Sequence, residues 1–262
     1  MKYSVKMASS SKSGADFKRV GDSKFYVDTN RDNLLGQGAV GTVLLGYFGE
    51  EKRKIAAKKI TVLDEEEFIR EYERGGKILK RLRHENIIRM HDSFREKVLI
   101  GGEAHVNIWT MLEYCPLGSL AEYCRRTELS MRRKVKIMSE CAHGLNYLHN
   151  QVQIFHRNIK PKNVLISGTI DHNVAKLSSF GWARYLEYDF DGKTRRRNSL
   201  VGTEAYMPPE MFSQKQDDQT PSYKYNIDVF SLGLTYLALL GSAKGSRLRP
   251  YQGNKKNHNI GE

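Results

Sequence analysis

Between residues 34 and 60 the chain alternates like paired strands, and directly afterwards it switches to helical spacing. That change of period limits the fold more than any other feature. Leu34-Leu35, a glycine cluster and Val43-Leu44-Leu45-Gly46-Tyr47 read as strand, turn and strand, with a third strand over 54–60. Phe68, Tyr72, Leu79 and Leu82 then fall at helical spacing behind Asp64-Glu65-Glu66-Glu67, acids that suit the positive end of a helix dipole. Residues 106–114 read as a buried strand ending in a turn at Cys115-Pro116-Leu117-Gly118. The stripe Val135, Ile137, Met138, Cys141, Leu145 and Leu148 predicts a long helix over 132–149, and 223–240 predicts another. Strands first and helices after give a two-lobed α+β arrangement without internal repeats.

The 262 residues, 39% apolar and 28% charged, can bury a sizeable core. The net charge is +13, but six basic and three acidic residues lie in 1–30, and five and one in 242–262, so about half of the excess sits at the ends. Such an excess raises affinity for phosphates, acidic partners and anionic membranes without specifying a fold. A basic nucleic-acid- or lipid-binding surface is one function class, yet no motif interleaving basic and aromatic residues supports it. The longest apolar stretch, 229–240, is interrupted by Ser231, Gly233 and Thr235 and is shorter than the roughly 20 residues a bilayer needs. The start lacks the apolar run of a secretory signal and Lys2 excludes myristoylation, so an intracellular, cytoplasmic protein is expected. Cys115, Cys124 and Cys141 show no Cys-x-x-Cys spacing and read as reduced thiols. Residues 1–30, rich in Ser, Lys and Asp, are expected to form a flexible basic segment, with the folded domain over 31–241 and a basic tail over 242–262.

The segment GQGAVGTV places Gly36, Gly38 and Gly41 as Gly-x-Gly-x-x-Gly ahead of Val43. Glycines let backbone amides approach a phosphate closely, although ordinary hairpins use the same residues. Strands on both sides, with no helix opening at the third glycine, argue against a dinucleotide site. Lys58 follows in Ile55-Ala56-Ala57-Lys58, and then come HRNIKPKNVLI at 156–166, SSFG at 178–181, GTEAYMPPE at 202–210 and DVFSLG at 228–233. In these ordered motifs the chain resembles the protein kinase family over residues 31–241, with a first lobe over 31–114 and a second over 115–241. Lys160-Pro161 and Thr203 resemble the serine/threonine branch.

The resemblance implies an ATP cleft with adenine between Val43 and Ala56 above and Leu165 below, Leu112 as gatekeeper, and Glu113 to Cys115 as hinge. It gives Lys58 to the α- and β-phosphates, Lys160 to the γ-phosphate, Asn163 to a metal ion and Arg157 to the activation segment. Three positions depart from the family pattern. Asn158 stands where an aspartate accepts the substrate proton, and an amide cannot take it. Ser179 replaces the metal-binding aspartate, so Mg2+ would be poorly held. Counting back from His84-Glu85-Asn86, Gly75 falls where the helix glutamate would pair with Lys58.

The expected product is a pseudokinase, a scaffold or regulator with protein partners that still takes a nucleotide weakly and with little dependence on Mg2+. The alternative is a low-activity serine/threonine kinase in which Asn158 orients substrate and Glu71 or Asp171 supplies the missing charge. Arg195-Arg196-Arg197-Asn198-Ser199 suggests phosphorylation at Ser199, received by Arg157, or else a solvated basic loop. After Leu240 no further amphipathic helix is legible, so the second lobe is expected to stop short, by truncation or with a partner covering it.

Overall fold

A computed structural model describes residues 17–20, 24–28, 33–38, 41–185, 202–211 and 226–242. The strands β1 (Phe17–Arg19), β2 (Phe25–Asp28), β3 (Leu34–Gly38), β4 (Gly41–Phe48), β5 (Arg53–Leu63), β6 (Met90–Ile100) and β7 (Glu103–Glu113) form one antiparallel sheet. Its order is β1-β2-β4-β5-β7-β6, with β3 also paired to β4. The sheet curls until its two edges meet, and Lys18 of β1 pairs with Glu96 of β6. Glu96 also accepts from Asn107 Nδ2 and Trp109 Nε1, both at 3.1 Å. Inside the curl lie Val20, Phe25, Val27, Ile55, Ala57, Trp109 and Met111. The strands at 17–19 and 25–28 thus belong to the sheet, inside the segment 1–30 for which sequence alone leads to an expectation of flexibility. Lys, Asp and Ser dilute their composition, yet Val20, Phe25 and Val27 are apolar and buried.

The helix α1 (Glu66–Arg81) crosses the other face of the sheet. Glu66 and Glu67 in its first turn and Lys80 and Arg81 in its last complement the helix dipole. Arg95 of β6 grips Glu73 with two hydrogen bonds, so the helix is tied to the sheet edge.

The second half is helical around small hairpins. It holds α2 (Leu120–Arg126) behind a Ser119–Glu122 capping box, α3 (Met131–Asn146) running into a π turn at Tyr147–Gln151, and α4 (Asn226–Leu240). Two antiparallel pairs lie between α3 and α4 in the chain: β8 (Ile154–Phe155) with β11 (Arg184–Tyr185), and the hairpin of β9 (Val164–Gly168) with β10 (Asn173–Leu177). One apolar cluster joins α1, α2, α3, the β9–β10 hairpin and α4. The buried Lys134 of α3 donates to Leu240 O at 3.0 Å and Ser242 O at 2.9 Å, satisfying carbonyls at the negative end of α4. No helix among the described residues is long and apolar enough to cross a membrane. Ser199 and most of the basic tail lie outside the described residues.

Candidate functional site

Cross-strand pairing builds the upper wall. Gly36, Val43, Lys58 and Thr110 form one row across β3, β4, β5 and β7, and Leu45, Ala56, Leu112 and Met90 form the next. Paired residues share a face, and a strand returns to that face every second residue. Val43, Ala56, Lys58 and Leu112 therefore stand on one surface, the one that α1 crosses. At the hairpin, Gly38 pairs with Gly41. A Cβ on Gly41, at φ +145°, would lie 2.3 Å from Lys59 O, so the protein's own packing accounts for this glycine. A Cβ on Gly36 or Gly38 would meet nothing within 4 Å, which leaves open space above the row.

On the helix side, Lys58 Nζ lies 5.6 Å from the centroid of the Tyr72 ring. The expectation that position 75 faces inward meets a close approach: a Cβ there would come 2.2 Å from Phe180 O and 3.0 Å from Gly181 Cα. Backbone fills the place where a longer side chain would start. Glu71 lies on α1, but its side chain is outside the described residues. Asp171, the other proposed rescuer, sits exposed on the β9–β10 turn, at the opposite end of β10 from Ser179. It is therefore removed as a source of charge for this site.

At the end of β7, the expected hinge, the Glu113 carboxylate accepts from Arg89 N at 3.1 Å and pairs with Lys176 at 3.0 Å. Burial, with Glu113 nearby, pushes the Cys115 thiol up to about 12, so it is an inert packing group. Within β9, Val164 and Ile166 are buried, and Leu165 between them takes the opposite face.

Beneath the cleft, Asp228 gathers the loop that carries His156, Arg157 and Asn158. Its carboxylate accepts from His156 N at 2.8 Å and Arg157 N at 2.7 Å and meets His149 Nε2 at 2.9 Å. Asn158 N donates to His156 Nδ1 at 3.3 Å, so Nε2 carries the proton and donates to Ser178 O at 2.9 Å. The His156 ring also meets Phe180 edge to face at 4.8 Å. Arg157 Nε donates to Trp182 O at 2.8 Å. Lys160 donates to Thr203 Oγ1, and that hydroxyl donates to Asn158 Oδ1 at 3.4 Å. Burial and the neighbouring Lys162 hold the Lys160 amine below its usual range. Arg157 (φ +61°) and Ser179 (φ +71°) adopt the left-handed backbone, at roughly 1–2 kcal/mol each.

The structure thus brings together Asn158, Lys160, Asn163 and Thr203 in the second lobe, and Val43, Ala56, Lys58 and Leu112 on one face of the sheet. Spacing alone missed Tyr72 as the neighbour of Lys58. The available signal was its place three residues before Gly75, on the same helix face.

The open glycine hairpin, the apolar walls and the two lysines suit an adenine nucleotide. Toward Mg2+ the two expected metal positions present only neutral oxygens. Asn163 donates its amide N–H to Asn158 O at 2.7 Å, which leaves its Oδ1 as a neutral ligand, and Ser179 offers a neutral hydroxyl where the family has a carboxylate.

The family profile for the protein kinase domain matches residues 29–260. The chain belongs to the protein kinase family. Its relatives include serine/threonine-protein kinase pakG of Dictyostelium discoideum, 31% identical over 80% of this chain and 16% of the relative. The Aurora kinase of Schizosaccharomyces pombe is 32% identical over 79% of this chain and 53% of its own length. Aurora kinase C of Mus musculus is 30% identical over 79% and 68%. The match spans less than two thirds of the first two relatives. ATP, usually with Mg2+, is what a kinase domain uses.

Proposed function

We propose that this kinase domain is a pseudokinase, a nucleotide-binding module that regulates or scaffolds protein partners and does not transfer phosphate at ordinary rates. One observation carries the reading. The positions expected for proton acceptor, metal ligand and lysine partner hold Asn158, Ser179 and Gly75, while Lys58 and Lys160 remain. Each departure removes a negative charge and leaves the cations. Losing a general base costs about 10²–10⁴ in rate, and losing the metal's carboxylate weakens the charge clamp on the phosphates. Roles follow from the same arrangement. Val43, Ala56, Leu112 and Leu165 enclose adenine, Glu113 and Cys115 present hinge backbone, and Gly36, Gly38, Lys58 and Lys160 face phosphates. A nucleotide's own negative charge then meets two lysines directly.

A thermal-shift titration with ATP, in Mg2+ and in EDTA, tests this. Stabilisation of similar size in both buffers is expected. Stabilisation that requires Mg2+ would overturn the reading.

A further inference from the structure

We propose that Tyr72 is the positioning residue for Lys58, its ring face doing the work of the missing carboxylate; this rests on the nucleotide-binding reading above. Lys58 Nζ stands 5.6 Å from the ring centroid, within the range of a cation–π contact. The ring is held from the other side as well. A Cβ on Gly181 would lie 3.6 Å from Tyr72 Cε2, and Tyr72 packs against the cluster of Ile60, Ile69, Val106 and Ile108. Tyr72 is therefore wedged between the lysine and the Ser179-Phe180-Gly181 segment.

Two alternatives among the described side chains of α1 are closed or occupied. Position 75 is shut by Phe180 O, and Glu73 is gripped by Arg95. The electrostatic outcome differs from that of an ion pair. A carboxylate in contact cancels much of a lysine's charge, whereas an aromatic face orients the ammonium and leaves its charge whole. Lys160 is placed alike, against the Thr203 hydroxyl and the Asn158 amide. Two ammonium groups, held by a ring and a hydroxyl, fit a metal-free nucleoside triphosphate.

Two measurements decide the assignment. An aromatic ring shields nuclei above its face, so in protein with 13C-labelled lysine the Lys58 ε-methylene protons, identified through Lys58→Arg, should resonate upfield of lysines that face no ring, as should those of Lys18, Lys54 and Lys59, which lie over Trp109 or Tyr114. Tyr72→Phe should keep that shift and Tyr72→Leu should abolish it. An ordinary Lys58 shift in the unmodified protein overturns the proposal, and this comparison needs no variant at position 72 to fold. In EDTA, Tyr72→Leu should weaken ATP about five-fold, the size of one cation–π contact, while adenosine binding stays unchanged and Tyr72→Phe matches the parent. Unchanged ATP affinity, or equal losses for ATP and adenosine, would also overturn it. If the parent binds neither ligand, the nucleotide reading fails and the lysine shift alone rules on Tyr72.

Discussion

Gly75 and Gly76 are chemically the same residue in the same helix, and their surroundings separate them. A Cβ at 76 would meet only Met90 Cε at 3.7 Å, an ordinary contact, whereas at 75 it would strike the Phe180 carbonyl. Gly76→Ala should therefore stabilise the fold by up to about 1 kcal/mol of helix propensity and so raise the melting temperature. Gly75→Ala should lower it, because roughly 1–3 kcal/mol of overpacking outweighs the same gain. Equal shifts in differential scanning calorimetry would refute the close approach. Chemistry at this scale can be checked with Asn158→Asp combined with Ser179→Asp. Purified parent should show no turnover near the usual 1–100 s⁻¹, and the double variant should gain activity in a radiolabel transfer assay. The substitutions themselves were legible, since each stands inside a short motif. The contact between Lys58 and Tyr72 was not, because it depends on how a strand and a helix sit against one another.

At the level of elements, the anchoring of α1 is divided between its two sides. Outside, Arg95 holds Glu73; inside, Tyr72 and Gly75 lie against Lys58 and Phe180. Arg95→Ala should free the outer side only. Hydrogen exchange is expected to quicken across 66–81 while β5 and β7 keep their protection, and unchanged exchange in the helix would remove the anchor. The strands over 34–60 and 106–114 and the helix behind the acidic run were readable because apolar period and end charges agree. The strands β1 and β2 escaped because they are three and four residues long and lie among Lys, Asp and Ser. Only the curl of the sheet shows what Val20, Phe25 and Val27 are for.

For the molecule as a whole, acid should be destabilising. His156 is fully buried and held below its ordinary 6.5, by burial first, against the opposing pull of Asp228 and the Ser178 carbonyl. Burial likewise lowers His84 and His91. The unfolded chain takes up these protons near 6.5 and the folded chain resists them. Stability is thus complete above that value and declines below it until the lowered folded values are reached. The urea midpoint should be lower at pH 5.5 than at pH 7.5, and coincident midpoints would contradict this.

The meeting of β1 and β6 also sets a timetable. Lys18 and Glu96 lie 78 residues apart, and Trp109 and Met111, which cover Val20, Phe25 and Val27, come later still. At 5–20 residues per second of synthesis, the apolar side of the first strands waits about 4–16 s for its partners. These strands are made before the residues that enclose them, so on the nascent chain their apolar side is a stretch that a chaperone would shelter.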